Sequence, residues 1–216
     1  MNIFKSMTTS LTESLGQHDI ERDVLKAPGF KSQGILTVEY TSEGKSQPVA
    51  LGNVLPVGDV QYKPQVSFTL HPESGAEIKP GDQFALILTD PDAPSRTEKK
   101  WSEYCHWIVS GLTLTPTSNA KIESKEAPVE SISTLLDLSK GSNLISYMGP
   151  APPPGTGKHR YVFLFLKVNQ GVTLEAPKDR PNWGTGVPAS GFHEWFAGKG
   201  EIWGVNFFNA ENTKKE

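Results

Sequence analysis

Six short apolar runs, each fenced by turn-forming residues, constrain this chain more than any other feature. They are GILTVEY (34–40), PQVSFTL (64–70), FALILTD (84–90), CHWIVSGL (105–112), RYVFLFLKV (160–168) and EIWGVNFF (201–208). Each is strand-sized and rich in β-branched and aromatic side chains, which suit a pleated, half-buried surface. Most of the 20 glycines and 17 prolines fall between the runs rather than in one linker. That is the punctuation of many strands joined by turns. FALIL and YVFLFL are almost unbroken, as central strands covered on both faces should be, whereas ILTVEY alternates only in part. Helical periodicity is confined to the edges. Residues 8–18 place Leu11 and Leu15 four apart behind Ser and Thr caps, and residues 188–199 place Phe192, Trp195 and Phe196 on one helical face. Residues 113–140 are polar and weakly patterned, which predicts an irregular insertion with a short helix near SISTLLDL (131–138). At 216 residues the chain can bury one sizeable core. The pattern predicts a mainly β fold, a β-sandwich or related core with peripheral α-helices, in a single domain.

Charge and cysteine content then exclude whole classes. The net charge is −3 and the cationic residues are scattered, apart from RTEKK (96–100) and TKKE (213–216). No basic footprint for nucleic acid exists. The one cysteine, Cys105, rules out an intrachain disulfide and fits a reducing compartment. The amino terminus lacks the unbroken apolar core of a signal peptide, and no apolar run reaches membrane-spanning length. A soluble cytoplasmic protein is expected, monomeric and with at most peripheral membrane contact.

Chemistry concentrates in two segments. LILTDPDAPS (86–95) ends a strand in Asp90 and Asp92, and His106 follows fourteen residues after Asp92. A calcium loop counted from Asp90 fails, because its fifth, sixth and twelfth positions are Pro94, Ser95 and Trp101. Asp90, Asp92, His106 and His159 could converge, but no short His–His or Cys–Cys spacing supports zinc. No metal or other cofactor is expected. There is no G-x-S-x-G elbow. Cys105 directly precedes His106, so on a strand it faces away from whatever His106 faces and reads as a core thiol. GTGKHR (155–160) and GTGVPA (184–189) resemble phosphate-binding loops on paper only, lacking the required residues or the strand–helix context. What remains is GPAPPPGTGKHRY (149–161), a stiff loop that delivers His159, Arg160 and Tyr161 to the mouth of an apolar strand. Either segment alone reads as a core strand with a structural histidine. Together they point to a rigid pocket wall.

LTDPDAPSRTEKKWSEYCHWIV (88–109) and GPAPPPGTGKHRYVF (149–163) resemble the paired signatures of the phosphatidylethanolamine-binding protein family, also called the Raf kinase inhibitor protein family. The likeness extends through GILTVEY, GNVLP, KDRPNWGTGVPASG and NFF. YMGPAPPPGTGKHRYVF, KDRPNWG and a helical N-terminal extension over residues 1–20 direct it to the fungal, carboxypeptidase Y inhibitor-like branch. The resemblance implies a central antiparallel β-sandwich with a small anion pocket formed by Asp90, Asp92, Pro94, His106, Pro153, His159 and Tyr161. A pocket tyrosine near the family's carboxyl terminus is matched here by Phe208, which removes a hydroxyl donor. The implied role is non-catalytic. The protein would bind a phosphate-bearing small molecule or phospholipid head group and inhibit a serine carboxypeptidase. The alternatives are a modulator of Ras/Raf-type signalling or a weak hydrolase using the Asp–His pocket. The imidazoles would donate to phosphate, oriented by Asp90 or Asp92. Loss of Asp92 is therefore expected to disturb the pocket and spare the fold.

Overall fold

The computed structural model describes residues 3–117 and 133–213. All six predicted runs are strands, and the described residues form nine. These are β1 (Gly34–Ser42), β2 (Lys45–Pro48), β3 (Gln65–Leu70), β4 (Gln83–Asp90), β5 (Tyr104–Leu112), β6 (Ser133–Leu135), β7 (Ser142–Ile145), β8 (Lys158–Val168) and β9 (Gly200–Glu211). They build two antiparallel sheets, ordered β2-β1-β3-β6 and β7-β5-β4-β8-β9. The near-continuous apolar runs occupy the inner places of the larger sheet, where both faces are covered. Phe84, Leu86 and Leu88 of β4 face the smaller sheet and meet Leu36, Val38 and Phe68. Ala85 and Ile87 face the other way, into a second core. Each alternate side chain of a central strand thus has its own apolar partner layer, and the period-two polar signal disappears. A partial alternation survives in β1, whose outer face is half exposed.

Helices cover the second core. Helix α1 (Ile3–Gln17) starts five residues earlier than its periodicity predicted and buries Leu11 and Leu15. It has no acidic residue in its first turn and no basic residue in its last, and Thr8, Thr9 and Thr12 bond back to carbonyls four residues earlier. Such a sequence is a weak helix former, so packing of Leu11 and Leu15 holds it. A π-helical turn (Glu21–Leu25) continues the cover with Val24 and Leu25. Helix α2 (Phe192–Phe196) adds Phe192 and Phe196, with Trp195 half-buried beside them.

The helix expected near 131–138 is not formed over its described part. Ser133–Leu135 is strand β6, paired with β3, and residues 118–132 lie outside the described residues. Leu136 and Leu138 both pack on the core, and a two-residue spacing belongs to extended chain. Among the described residues no helix is long and apolar enough to cross a membrane.

Candidate functional site

Three strands meet at one end of the larger sheet. Strand β4 ends in Asp90, β5 brings His106, and β8 begins with His159 and Tyr161. On β5 the register slips: Trp107 pairs with Leu88 and Cys105 with Thr89, leaving His106 as the extra residue of a bulge. A bulge lets neighbouring side chains break strict alternation. His106 and Trp107 therefore lie on the inter-sheet side, while Cys105 enters the second core. Burial pushes the Cys105 thiol up to about 12. On β8 alternation is regular, so His159 and Tyr161 share the pocket side and Arg160 faces the other.

Asp90, Pro94, His106, Pro153, His159 and Tyr161 line one cavity of about 200 Å³. The Asp90 carboxylate accepts from the Asp92 backbone N–H at 2.6 Å through Oδ1 and faces His159 Nδ1 at 2.9 Å through Oδ2. The second ring nitrogen of His159 lies 2.9 Å from Thr156 Oγ1. His106 is oriented by a carbonyl rather than an acid, with Nδ1 2.8 Å from Met148 O. Burial holds the His106 pKa below its usual value, and the nearby Asp90 charge only partly opposes this. Burial and the charges of Asp90 and Asp92 push the Tyr161 phenol well up.

Two residues expected in the cavity do not line it. Asp92 is fully buried behind the pocket, where Oδ2 accepts from Arg160 N and Nε, both at 2.9 Å, and Oδ1 from a guanidinium NH₂ at 2.7 Å. Arg160 also reaches His18 O at 2.7 Å and Asp23 at 2.8 Å. The carboxylate is drawn away from the imidazoles by a guanidinium that alternation places on the opposite face. Phe208 stacks on Tyr161 at a 5.3 Å ring separation, deep in the core. It supports the wall from behind.

Sequence reasoning missed Trp101, Tyr104 and Met148 in the lining. It also missed Arg180, whose guanidinium donates to the carbonyls of Cys105, His106 and Ser146 at 2.8–3.2 Å. Arg180 does not line the cavity; its guanidinium fixes the β5 backbone at His106 from outside. The KDRPNWG stretch carried this signal, but nothing in one sequence says where a guanidinium ends. A larger hollow of about 390 Å³ lies between α1, β1 and β9, and its lining has no titratable side chain. The chemistry sits in the smaller cavity. Among the described residues no group of three or more His, Cys, Asp or Glu side chains is placed to hold a metal ion.

Comparison with known proteins agrees with this architecture. Residues 28–208 match the family model for phosphatidylethanolamine-binding proteins. The chain is 42% identical over 212 residues to the carboxypeptidase Y inhibitor of Saccharomyces cerevisiae, covering 92% of this chain and 94% of that protein. It is 33% identical over 211 residues to an uncharacterized protein of the same yeast, covering 96% of each. Among solved structures, a carboxypeptidase Y inhibitor complexed with its cognate proteinase superposes with a TM-score of 0.82 at 40% identity, covering 95% of this chain and 97% of that one. The phosphatidylethanolamine-binding protein of Plasmodium vivax shares the fold, with a TM-score of 0.62 at 23% identity over 93% and 97% of the two chains. The chain belongs to the phosphatidylethanolamine-binding protein family.

Proposed function

We propose that the protein is a non-catalytic inhibitor of a serine carboxypeptidase of the carboxypeptidase Y type. Its cavity, on the same reading, holds a phosphate-bearing small molecule or phospholipid head group. The observation that carries the inhibitor reading is the 42% identity, spanning 92% of the chain, to a carboxypeptidase Y inhibitor. An inhibitor of this kind needs an exposed segment that enters the peptidase cleft and is not released as product. The first half of α1 suits the task. Lys5, Ser6, Met7, Thr9 and Ser10 are exposed, and the buried anchors Leu11 and Leu15 come later. A form lacking residues 1–8 keeps both of these anchors.

The test is carboxypeptidase Y hydrolysis of a peptide substrate, with the full chain beside a form lacking residues 1–8. Full-length protein should inhibit; the truncated form should not, at an unchanged urea midpoint. No inhibition by the full chain would refute the reading. Full inhibition by the truncated form would remove the segment from it.

A further inference from the structure

We propose that the hollow between α1, β1 and β9 binds an uncharged, mainly aliphatic molecule with a single hydroxyl, in its simplest form a long-chain alcohol. The lining of this hollow shares no residue with the smaller cavity. The proposal is independent of the inhibitor reading.

The hollow exists because the two sheets part there. Strands β1 and β9 lie side by side but belong to different sheets, and β9 is an edge strand of the larger one. Along a strand every second residue turns its N–H and C=O to the same edge. On the outer edge of β9 these residues are Trp203, Val205, Phe207 and Asn209. Loops cover three of them. Gln33 N donates to Trp203 O at 2.9 Å, and Gly52 N donates to Phe207 O at 2.7 Å. Asn209 N donates to Asn53 O at 2.8 Å, and Asn209 O accepts from Leu55 N at 2.9 Å. Among the described residues neither ladder nor loop backbone covers Val205, and Val205 lines the hollow. Its neighbour Asn206 spans the gap without serving it. The Asn206 NH₂ donates to Leu36 O at 2.9 Å and Val49 O at 3.0 Å. Its side-chain oxygen accepts from Leu51 N at 3.2 Å and Phe207 N at 2.8 Å. Four bonds are the full capacity of an amide, so Asn206 fixes the spacing of β1 and β9 and offers a ligand nothing.

The rest of the wall decides what fits. Met7 and Leu11 of α1, Ile35 of β1 and Leu51 make it apolar, and no Asp, Glu, Lys, Arg or His lines it. An ion would enter without a counter-charge, at a cost far above that of a neutral head group. A hydroxyl can accept from the Val205 N–H and donate to its C=O, while an aliphatic chain covers Met7, Ile35 and Leu51. An apolar wall with a few placed polar groups is the ordinary make-up of a small-molecule site. A cavity of about 150 Å³ holds benzene, so one of about 390 Å³ has room for roughly ten to fifteen heavy atoms. Helix α1 docks through Leu11 and Leu15, and a chain in the hollow extends that contact back to Met7. The ligand therefore steadies the first half of the helix.

The experiment is a proton–nitrogen NMR titration of the full chain with 1-decanol and with decanoate at about pH 7, where the carboxylate is ionised. Decanol should give saturable shifts centred on Met7, Leu11, Thr37 and Val205, with slower amide exchange over residues 5–11. Decanoate should bind at least about tenfold more weakly. From 1-hexanol to 1-decanol the affinity should rise about fourfold per added methylene. Ala50→Phe, at an exposed position in the lining, should abolish decanol binding at an unchanged urea midpoint; the other arms need no variant. Equal affinity for alcohol and carboxylate would overturn the uncharged class. A flat chain-length series would show that the chain is not buried, and would overturn the proposal too. Shifts centred elsewhere, unchanged exchange in α1, full binding by folded Ala50→Phe, or no saturation would overturn the site itself. None of these readings uses the peptidase, so their failure leaves the inhibitor reading untouched.

Discussion

Replacing Asp92 by Asn should unfold the protein more readily without emptying the pocket. Arg160 and Asp92 are both fully buried and joined by three bonds of 2.7–2.9 Å. Asn keeps the shape, but its charge is gone and its NH₂ must face a guanidinium donor. Removing one partner of a buried pair typically costs about 3–5 kcal/mol. Asp23 and the His18 carbonyl still hold the guanidinium, so the lower end, about 3 kcal/mol, is expected. For a chain of this size that lowers Tm by roughly 6–12 °C. The bond from Asp92 to Asp90 uses the backbone N–H, so the cavity keeps its geometry. Urea unfolding followed by tryptophan fluorescence measures the loss. A pH series adds a second reading. Burial alone would raise the Asp92 pKa, yet Arg160 outweighs it and the net shift is downward. A carboxylate depressed in the folded state stabilises above its unfolded pKa and loses that contribution as pH falls through the folded value. The gap between the two proteins should be full at neutral pH and close below about pH 4. A loss under about 1 kcal/mol at neutral pH would refute the ion-pair argument.

Two further outcomes follow from buried groups. Burial raises Glu103 to about 8, its Oε1 has no hydrogen-bond partner among the described residues, and Oε2 is bonded by Thr89 at 3.0 Å. The folded state therefore holds a proton that the unfolded state releases, and stability should decline between pH 4.5 and about 8 by up to roughly 1.4 kcal/mol per pH unit. Glu103→Gln should flatten that decline in urea midpoints, and an unchanged slope would show that Glu103 is not its source. Cys105, buried in the second core with its thiol held near 12, should react with a thiol reagent at about pH 8 only as fast as the protein opens. Rapid stoichiometric labelling of the folded chain would contradict its placement.

The strands were legible because glycine and proline mark their ends and β-branched runs fill them. The short edge strands β2, β6 and β7 were not, since Lys45–Pro48 and Ser142–Ile145 have too few apolar residues for a period to register. Asp90, His106 and His159 were placed in one cavity by the two signature segments. Asp92 misled because a single sequence shows that two acids are close, and not which of them a distant guanidinium will take. The donor of that guanidinium is the residue after His159, so the error was one of face rather than of neighbourhood. That Trp107 shares the side of His106 was not legible, because it depends on the bulge and so on where β4 and β5 lock together.

The family match begins at residue 28, yet Leu11, Leu15, Ile20, Val24 and Leu25 all lie before it and pack on the second core. A boundary drawn by likeness thus cuts through a physical layer. A chain begun at residue 28 would carry an uncovered apolar sheet face and an Arg160 stripped of Asp23. Shared ancestry and mechanical self-sufficiency mark different edges here, and anyone trimming this protein should follow the second.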